Sequence, residues 1–267
     1  MTNKYQEKRK EILATFPQIP SMSNYEMVIF LQKQFNHKEN DTSSTDLVGL
    51  DSAMHLLREE NRETNTDAER LDFEKFRDGI GDQVTIAYFL AFKLADLRDE
   101  NFPILEENKR PNNYTEYRNN VNEKLRVLDN LVVGLKQEVG IKDGITQYEI
   151  KPSDATVEQK QAAFREYMTA LHSLPLSSKI NIRNDLIEIT LSSLSKICKT
   201  YEIAEQTLKQ YQDKGYLVHI EKSENGWIIL VSEDCVVNGD FIPQGKFLKA
   251  VDWQESVLEK LDEDINW

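Results

Sequence analysis

The chain predicts a mainly α-helical protein carrying a small α+β module at its C-terminal end. Apolar residues recur at three- and four-residue intervals through most of the first 199 positions, the mark of amphipathic helices. Beyond Thr200 this spacing gives way to short runs rich in β-branched and aromatic residues, divided by a polar turn. Charged residues make up 30% of the 267 positions against 39% hydrophobic, a balance that suits helices with well-solvated outer faces. Residues 1–199 therefore read as a helical bundle and 200–267 as an appended α+β module with an acidic tail.

In chain order, residues 3–16 read as a short amphipathic helix closed by Phe16-Pro17-Gln-Ile-Pro20. Ser23 or Asn24 caps a helix over Tyr25 to Phe35, with Met27, Val28, Leu31 and Phe35 on one side. His37 to Ser44 is polar and reads as a loop. A helix over about 46–64 follows, then a turn at Asn65-Thr66-Asp67, then a long helix over about 68–98. Asn101-Phe-Pro103 breaks the pattern. Thr115 to Val139 reads as one helix, with Leu125, Leu128, Leu131, Val132, Leu135 and Val139 at helical spacing. Gly140 to Asp154 reads as a linker with an extended piece at Gln147–Ile150. Helices over about 156–173 and 179–198 come next, separated by Leu174-Pro175. In the last third, Tyr201 to Lys214 reads as a helix ended by Gly215. Tyr216–Ile220 and Gly226–Val231 read as a hairpin, Lys246–Val251 as a third strand, and Trp253–Trp267 as a short acidic helix or tail.

The totals exclude several functions. The net charge of −13 repels the phosphates of polymeric nucleic acid, and the only basic cluster, Lys4, Lys8, Arg9 and Lys10, is diluted by Glu7 and Glu11. No apolar run reaches the roughly 18 residues of a membrane span, and the start of the chain lacks an apolar signal core, so a cytoplasmic protein is expected. Cys198 and Cys235 stand in unrelated contexts and read as reduced thiols. None of the four histidines is spaced for zinc with another His or Cys.

The chemistry-bearing stretch is a pair of acidic clusters on consecutive helices. At about 100° per residue, Ala53, Leu56, Leu57, Glu60 and Glu63 share a sector of roughly 120°, so the two carboxylates extend an apolar face. Asp78 and Asp82 lie about 40° apart on the next helix, with Phe89 continuing their line. Gly79 and Gly81 beside them indicate either close approach of a ligand to the backbone or tight helix packing. Carboxylates from two antiparallel helices suit Mg²⁺, which takes oxygen ligands and bridges protein to phosphates. The bland alternative is two solvated acidic faces. A di-iron bundle would want Glu-x-x-His pairs, and the chain has none.

Glu59-Glu60-Asn-Arg-Glu63 followed by Asp78-Gly-Ile-Gly-Asp82 resembles the Glu-Glu-x-x-Glu … Glu-x-x-Asp pattern of the all-α nucleoside triphosphate pyrophosphohydrolases, and most of all the MazG-like proteins of phages. Ser193-Leu-Ser-Lys196, Tyr211–Val218 and Gly245–Val251 are similar to the tail of the same proteins, with Ser193 where they carry Asn. The resemblance spans roughly 24–98 and 188–252, leaving about 101–180 as a helical insertion. It departs at Gly79, where the commoner pattern has Glu. It implies Mg²⁺-dependent hydrolysis, with Mn²⁺ as a substitute, of a (deoxy)nucleoside triphosphate to monophosphate and pyrophosphate. Glu60, Glu63, Asp78 and Asp82 would hold the metal, and Glu59 or Glu60 would orient or deprotonate the water. Lys196 would reach the phosphates or be an exposed lysine, and Tyr88 would face sugar or base or belong to the core. Such bundles complete their sites by dimerising, and the apolar stripe on 115–139 offers an interface for a homodimer or tetramer. A helical adaptor that kept the bundle and lost catalysis is the alternative, favoured by Gly79 and Ser193.

Overall fold

A computed structural model describes residues 3–39, 47–98, 103–142, 145–151, 153–242, 244–258 and 261. The fold is mainly α, 59% helix, with a small C-terminal antiparallel hairpin. Among the described residues the elements are α1 (Asn3–Thr15), α2 (Asn24–Gln34), α3 (Leu47–Glu69), α4 (Phe73–Lys93), α5 (Tyr114–Val132), β1 (Leu135–Lys142), β2 (Ile145–Lys151), α6 (Val157–His172), α7 (Ile182–Leu194), α8 (Tyr201–Gln212), β3 (Val218–Ser223), β4 (Gly226–Val231), β5 (Cys235–Val237) and β6 (Asp240–Ile242). No helix is long and apolar enough to cross a membrane among these residues.

The chain forms two compact units, and they group residues differently from the division expected at 199 and 200. One unit comprises 38–185 with 259–267; the other joins 1–37 to 186–258. The N-terminal helices thus share a unit with the C-terminal module, because side chains of α1 and α2 bond to residues far along the sequence. Arg9 grips Glu188 through two nitrogens, at 3.0 and 2.8 Å, and the Tyr5 hydroxyl donates to the same carboxylate. Lys8 pairs with Asp252 at 2.6 Å and Lys199 with Glu11 at 2.7 Å. Asn225 donates to Gln34, and Phe35 packs on Phe247 with ring centres 4.7 Å apart. In this unit α8 lies against β3 and β4 over a core of Cys198, Ala204, Ile229, Val231, Leu248 and Ala250. Cys198 and Cys235 are both free thiols.

The other unit is built on the hairpin of α3 and α4. The expected turn at Asn65-Thr66-Asp67 is absent, and α3 runs on to Glu69. Thr64, Asn65 and Thr66 each bond the carbonyl four residues back, on Glu60, Asn61 and Arg62, so these polar side chains are satisfied inside a helix. The stop comes at Leu71, in the left-handed region at φ 58°. Its N–H donates to Ala68 and that of Asp72 to Asp67, closing the last turn as a Schellman motif. Asp72 then caps α4 by accepting from the Lys75 N–H. Around the hairpin the core is filled by Leu57, Phe76, Ile80, Leu90 and Phe92, with Phe164, Tyr167 and Met168 of α6.

Two expected elements change type. The helix read through Val139 ends at Val132, because Gly134 takes φ 86°, and the following residues pair as β1 with β2. The extended piece expected at Gln147–Ile150 is part of β2. The part of the stripe within α5 turns inward: Leu125, Leu128 and Val132, with Val121, are buried in a helix that packs on α6, while the side chains of Leu135 and Val139 lie outside the described residues. Lys246–Val251 is no strand. Its contact with β4 is limited to one bridge, Leu230 with Phe247, and a few backbone hydrogen bonds, while β5 and β6 form a hairpin the alternation did not announce. Trp253–Leu258 has no regular structure, and most of the tail beyond lies outside the described residues.

Candidate functional site

The acidic hairpin is held by an unusually close helix crossing. A Cβ placed on Gly79 would lie 2.4 Å from Thr64 Oγ1 and 3.1 Å from Thr64 Cβ, so α4 meets α3 there with no room for any side chain. The Thr64 hydroxyl donates to the Glu60 carbonyl at 2.7 Å and accepts from Gln83 Nε2 at 2.8 Å; Gln83 Oε1 accepts from the Tyr167 hydroxyl at 3.1 Å. Thr64, Gln83 and Tyr167 are buried, and each of these polar atoms has a partner, as a dry helix interface requires. Of the two readings of Gly79, tight packing is the one its surroundings explain.

The buried stripe of α3 is Met54, Leu57, Thr64 and Ala68. Relative to its centre, Glu60 is rotated by about 75° and Glu63 by about 135°. The side chain of Glu63 is 55% exposed and lies 3.9 Å from Arg62. Glu59 and Glu60 are half-buried. The inward orientation expected of this pair is therefore corrected: the sector drawn through Leu56, itself 38% exposed, was turned away from the true contact face. On α4, Asp78 and Asp82 are half-buried and share the outer side of the helix with Phe89, as their spacing predicts. Glu60, Asp78 and Asp82 each already interact with other groups.

Because α3 and α4 are antiparallel and meet at Thr64 and Gly79, the turn carrying Glu60 lies opposite the turn carrying Asp82 and Gln83. The donor chemistry is right for a hard divalent cation. The placement is not that of a formed ligand set: among the described residues, no three His, Cys, Asp or Glu side chains come together as a metal group. Tyr88 is 4% exposed and packs edge-on against His172 at 6.2 Å, which makes it core and leaves it no face for a sugar or base. Burial pushes its hydroxyl up to about 12. Lys196 sits in the turn after α7, in the other unit from the carboxylates.

Sequence reasoning missed the polar seam between α3 and α5. Asn122 Oδ1 accepts from Asn61 at 2.9 Å and Asn65 at 3.0 Å, and Arg58 pairs with Asp129 at 3.3 Å. Asn61 and Asn65 stand one turn apart, a spacing that was legible, but amides carry no periodic signal of their own. Compared with known proteins, the chain matches no family model, no curated protein and no solved structure.

Proposed function

We propose that the protein is a Mg²⁺-dependent nucleoside triphosphate pyrophosphohydrolase of the cytoplasm, the host's if phage-encoded, acting as a homo-oligomer. One observation carries the reading: Glu59, Glu60 and Glu63 on one arm, and Asp78 and Asp82 on the other, belong to a single antiparallel helix hairpin. Such a hairpin can present oxygen ligands to a cation from two sides. The reading requires Glu60, Asp78 and Asp82 to change rotamer when a cation arrives, since like charges favour separation without one, and requires α3 to rotate as well for Glu63 to join them. Incubation with each common (d)NTP and Mg²⁺ is expected to yield monophosphate and pyrophosphate. Glu63→Gln and Asp82→Asn are each expected to lower turnover at least a hundredfold; turnover that survives both overturns the site.

A second reading is favoured by the Thr64–Gly79 contact. The position where the commoner pattern carries a ligand glutamate is here consumed by helix packing. On that reading the hairpin is the scaffold of a non-catalytic helical adaptor. Calorimetric titration with Mg²⁺ and Mn²⁺ separates the two: neither cation binding nor hydrolysis of any nucleotide leaves the adaptor.

A further inference from the structure

Two Asn-Gly steps occur in the chain, Asn225-Gly226 and Asn238-Gly239, and both lie at hairpin ends of the C-terminal module. Asparagine is among the chemically labile residues, and a following glycine labilises it most, because no Cβ shields the next backbone nitrogen from the carboxamide carbon. The fold treats the two steps in opposite ways. Gly226 is the first residue of β4, paired with Ser223, and it is buried. A Cβ placed on it would lie 2.5 Å from the Cys198 carbonyl oxygen and 2.8 Å from Ile197 Cγ2. The next residue, Trp227, exchanges two backbone hydrogen bonds with Cys198, at 2.8 and 2.9 Å. On the other side of the step, the Asn225 carboxamide donates to Gln34 Oε1. Backbone and side chain are both held at Asn225-Gly226.

Asn238-Gly239 has none of these restraints among the described residues. The two residues form the loop between β5 and β6, at φ 54° and 92°, the pair of positive angles that a type I′ turn takes. Both are exposed, and nothing described lies within 4 Å of the place a Cβ would take on Gly239. Val237 pairs with Asp240 across the turn, so the ladder ends before the Asn238-Gly239 peptide and leaves its N–H outside. β5 and β6 are three residues each and, among the described residues, pair only with one another. The tip of so short a hairpin opens more readily than the core.

We propose that Asn238 is a site of spontaneous deamidation, while Asn225 is protected by the fold. The Gly239 nitrogen bonds to Asn238 Cγ as the Cγ–Nδ2 bond breaks. The Gly239 amide proton goes to the departing nitrogen, which leaves as ammonia, and the product is a five-membered succinimide. Water then opens the ring. Cleavage at Cγ gives aspartate, and cleavage at the backbone carbonyl gives isoaspartate, whose main chain is longer by one methylene. Either product is a carboxylate at neutral pH and takes the formal net charge of −13 one unit further negative. Asp-Gly still fits a type I′ turn, whereas the longer isoaspartate main chain breaks the register of Val237 with Asp240. The proposal is independent of the hydrolase reading, since neither step belongs to the acidic hairpin.

The test is incubation of the folded whole chain at mildly alkaline pH, followed by trypsin and tandem mass spectrometry. Trypsin cuts after Lys222 and Lys246, so one peptide carries both steps and each is read against the other. A parallel sample in guanidinium chloride gives the rates without the fold. In the folded chain Asn238 is expected to convert at least tenfold faster than Asn225, with isoaspartate among the products. In guanidinium the two should convert within a few-fold of each other. Asn238→Asp, which keeps the turn chemistry, should remove most of the mass gain of this peptide. Circular dichroism shows whether that variant folds; if it does not, the comparison of the two asparagines in the unmodified chain decides. Equal conversion of both in the folded chain, faster conversion at Asn225, or none at Asn238 while the guanidinium sample converts overturns the proposal. A tenfold difference that persists in guanidinium assigns the contrast to local sequence and overturns the protection by the fold.

Discussion

Leu71 and Gly79 hold each other's ideal residue. Leu71 ends α3 at φ 58°, where a side chain costs roughly 1–2 kcal/mol and glycine costs nothing. It is 66% exposed, so little burial is lost by removing it. Leu71→Gly is expected to stabilise the protein by about 1 kcal/mol, read as a higher urea midpoint with unchanged slope. Gly79 is the reverse case. A methyl there meets a hydroxyl locked by two hydrogen bonds, and behind it Thr64 Cβ at 3.1 Å and Cα at 3.3 Å, which no rotamer change can move. The gain in helix propensity from Gly79→Ala is about 1 kcal/mol, and the overpacking exceeds it. A net loss of about 1–2 kcal/mol is expected, and a stabilised Gly79→Ala in the same urea experiment would refute the close crossing.

At the scale of elements, one buried ion pair ties α4 to the start of α7. Arg77 reaches Asp185 through Nε at 3.1 Å and through a terminal nitrogen at 2.6 Å, and both side chains are 4% exposed. Removing one partner strands a charge where water cannot reach it. Arg77→Met or Asp185→Asn is expected to cost about 3–5 kcal/mol. The double variant Arg77→Met with Asp185→Leu should recover most of that loss, because two apolar groups leave no orphan charge. A double-mutant cycle by chemical denaturation checks both. The same scale explains where elements were legible. Ser23 and Thr156 announce α2 and α6 because each forms a capping box, with Glu26 and Gln159, and a cap is a local device. The ends of α3 and α5 were misread for the opposite reason. Asn65-Thr66-Asp67 looks like a turn until its side chains find carbonyls within the helix, and the apolar spacing past Val132 gives no sign that Gly134 will turn left-handed and that a strand 10 residues on will pair.

For the molecule as a whole, pH should act through one half-buried imidazole. His172 closes α6, its Nδ1 bonded to the Met168 carbonyl at 2.8 Å and its Nε2 buried without a hydrogen-bond partner. Burial holds its pKa below the ordinary 6.5, against the weaker opposing effect of the carbonyl. The unfolded chain thus takes up a proton at a pH where the folded protein still excludes it. Stability is full above about 6.5 and is lost as pH falls below that value, down to the folded pKa. Urea unfolding measured across this window should show the decline, and His172→Phe should flatten it. An unchanged slope in His172→Phe would assign the decline to other groups.

Helical class, most of the helices, the C-terminal hairpin and the acidic clusters were all determined by the sequence, because periodicity, caps and turn residues act over a few positions. Spacing alone also put Asp78, Asp82 and Phe89 on one side of α4. Which way the α3 carboxylates face was decided only in three dimensions. Leu56 and Leu57 each offer an apolar direction, and the choice between them was made by α4 seating Gly79 on Thr64. That contact joins residues 15 apart at a crossing too close for any side chain on Gly79, and no local pattern encodes such a crossing. The sharing of one unit by the two ends of the chain was decided the same way, by Arg9 meeting Glu188 and Lys8 meeting Asp252 across the whole length of the sequence.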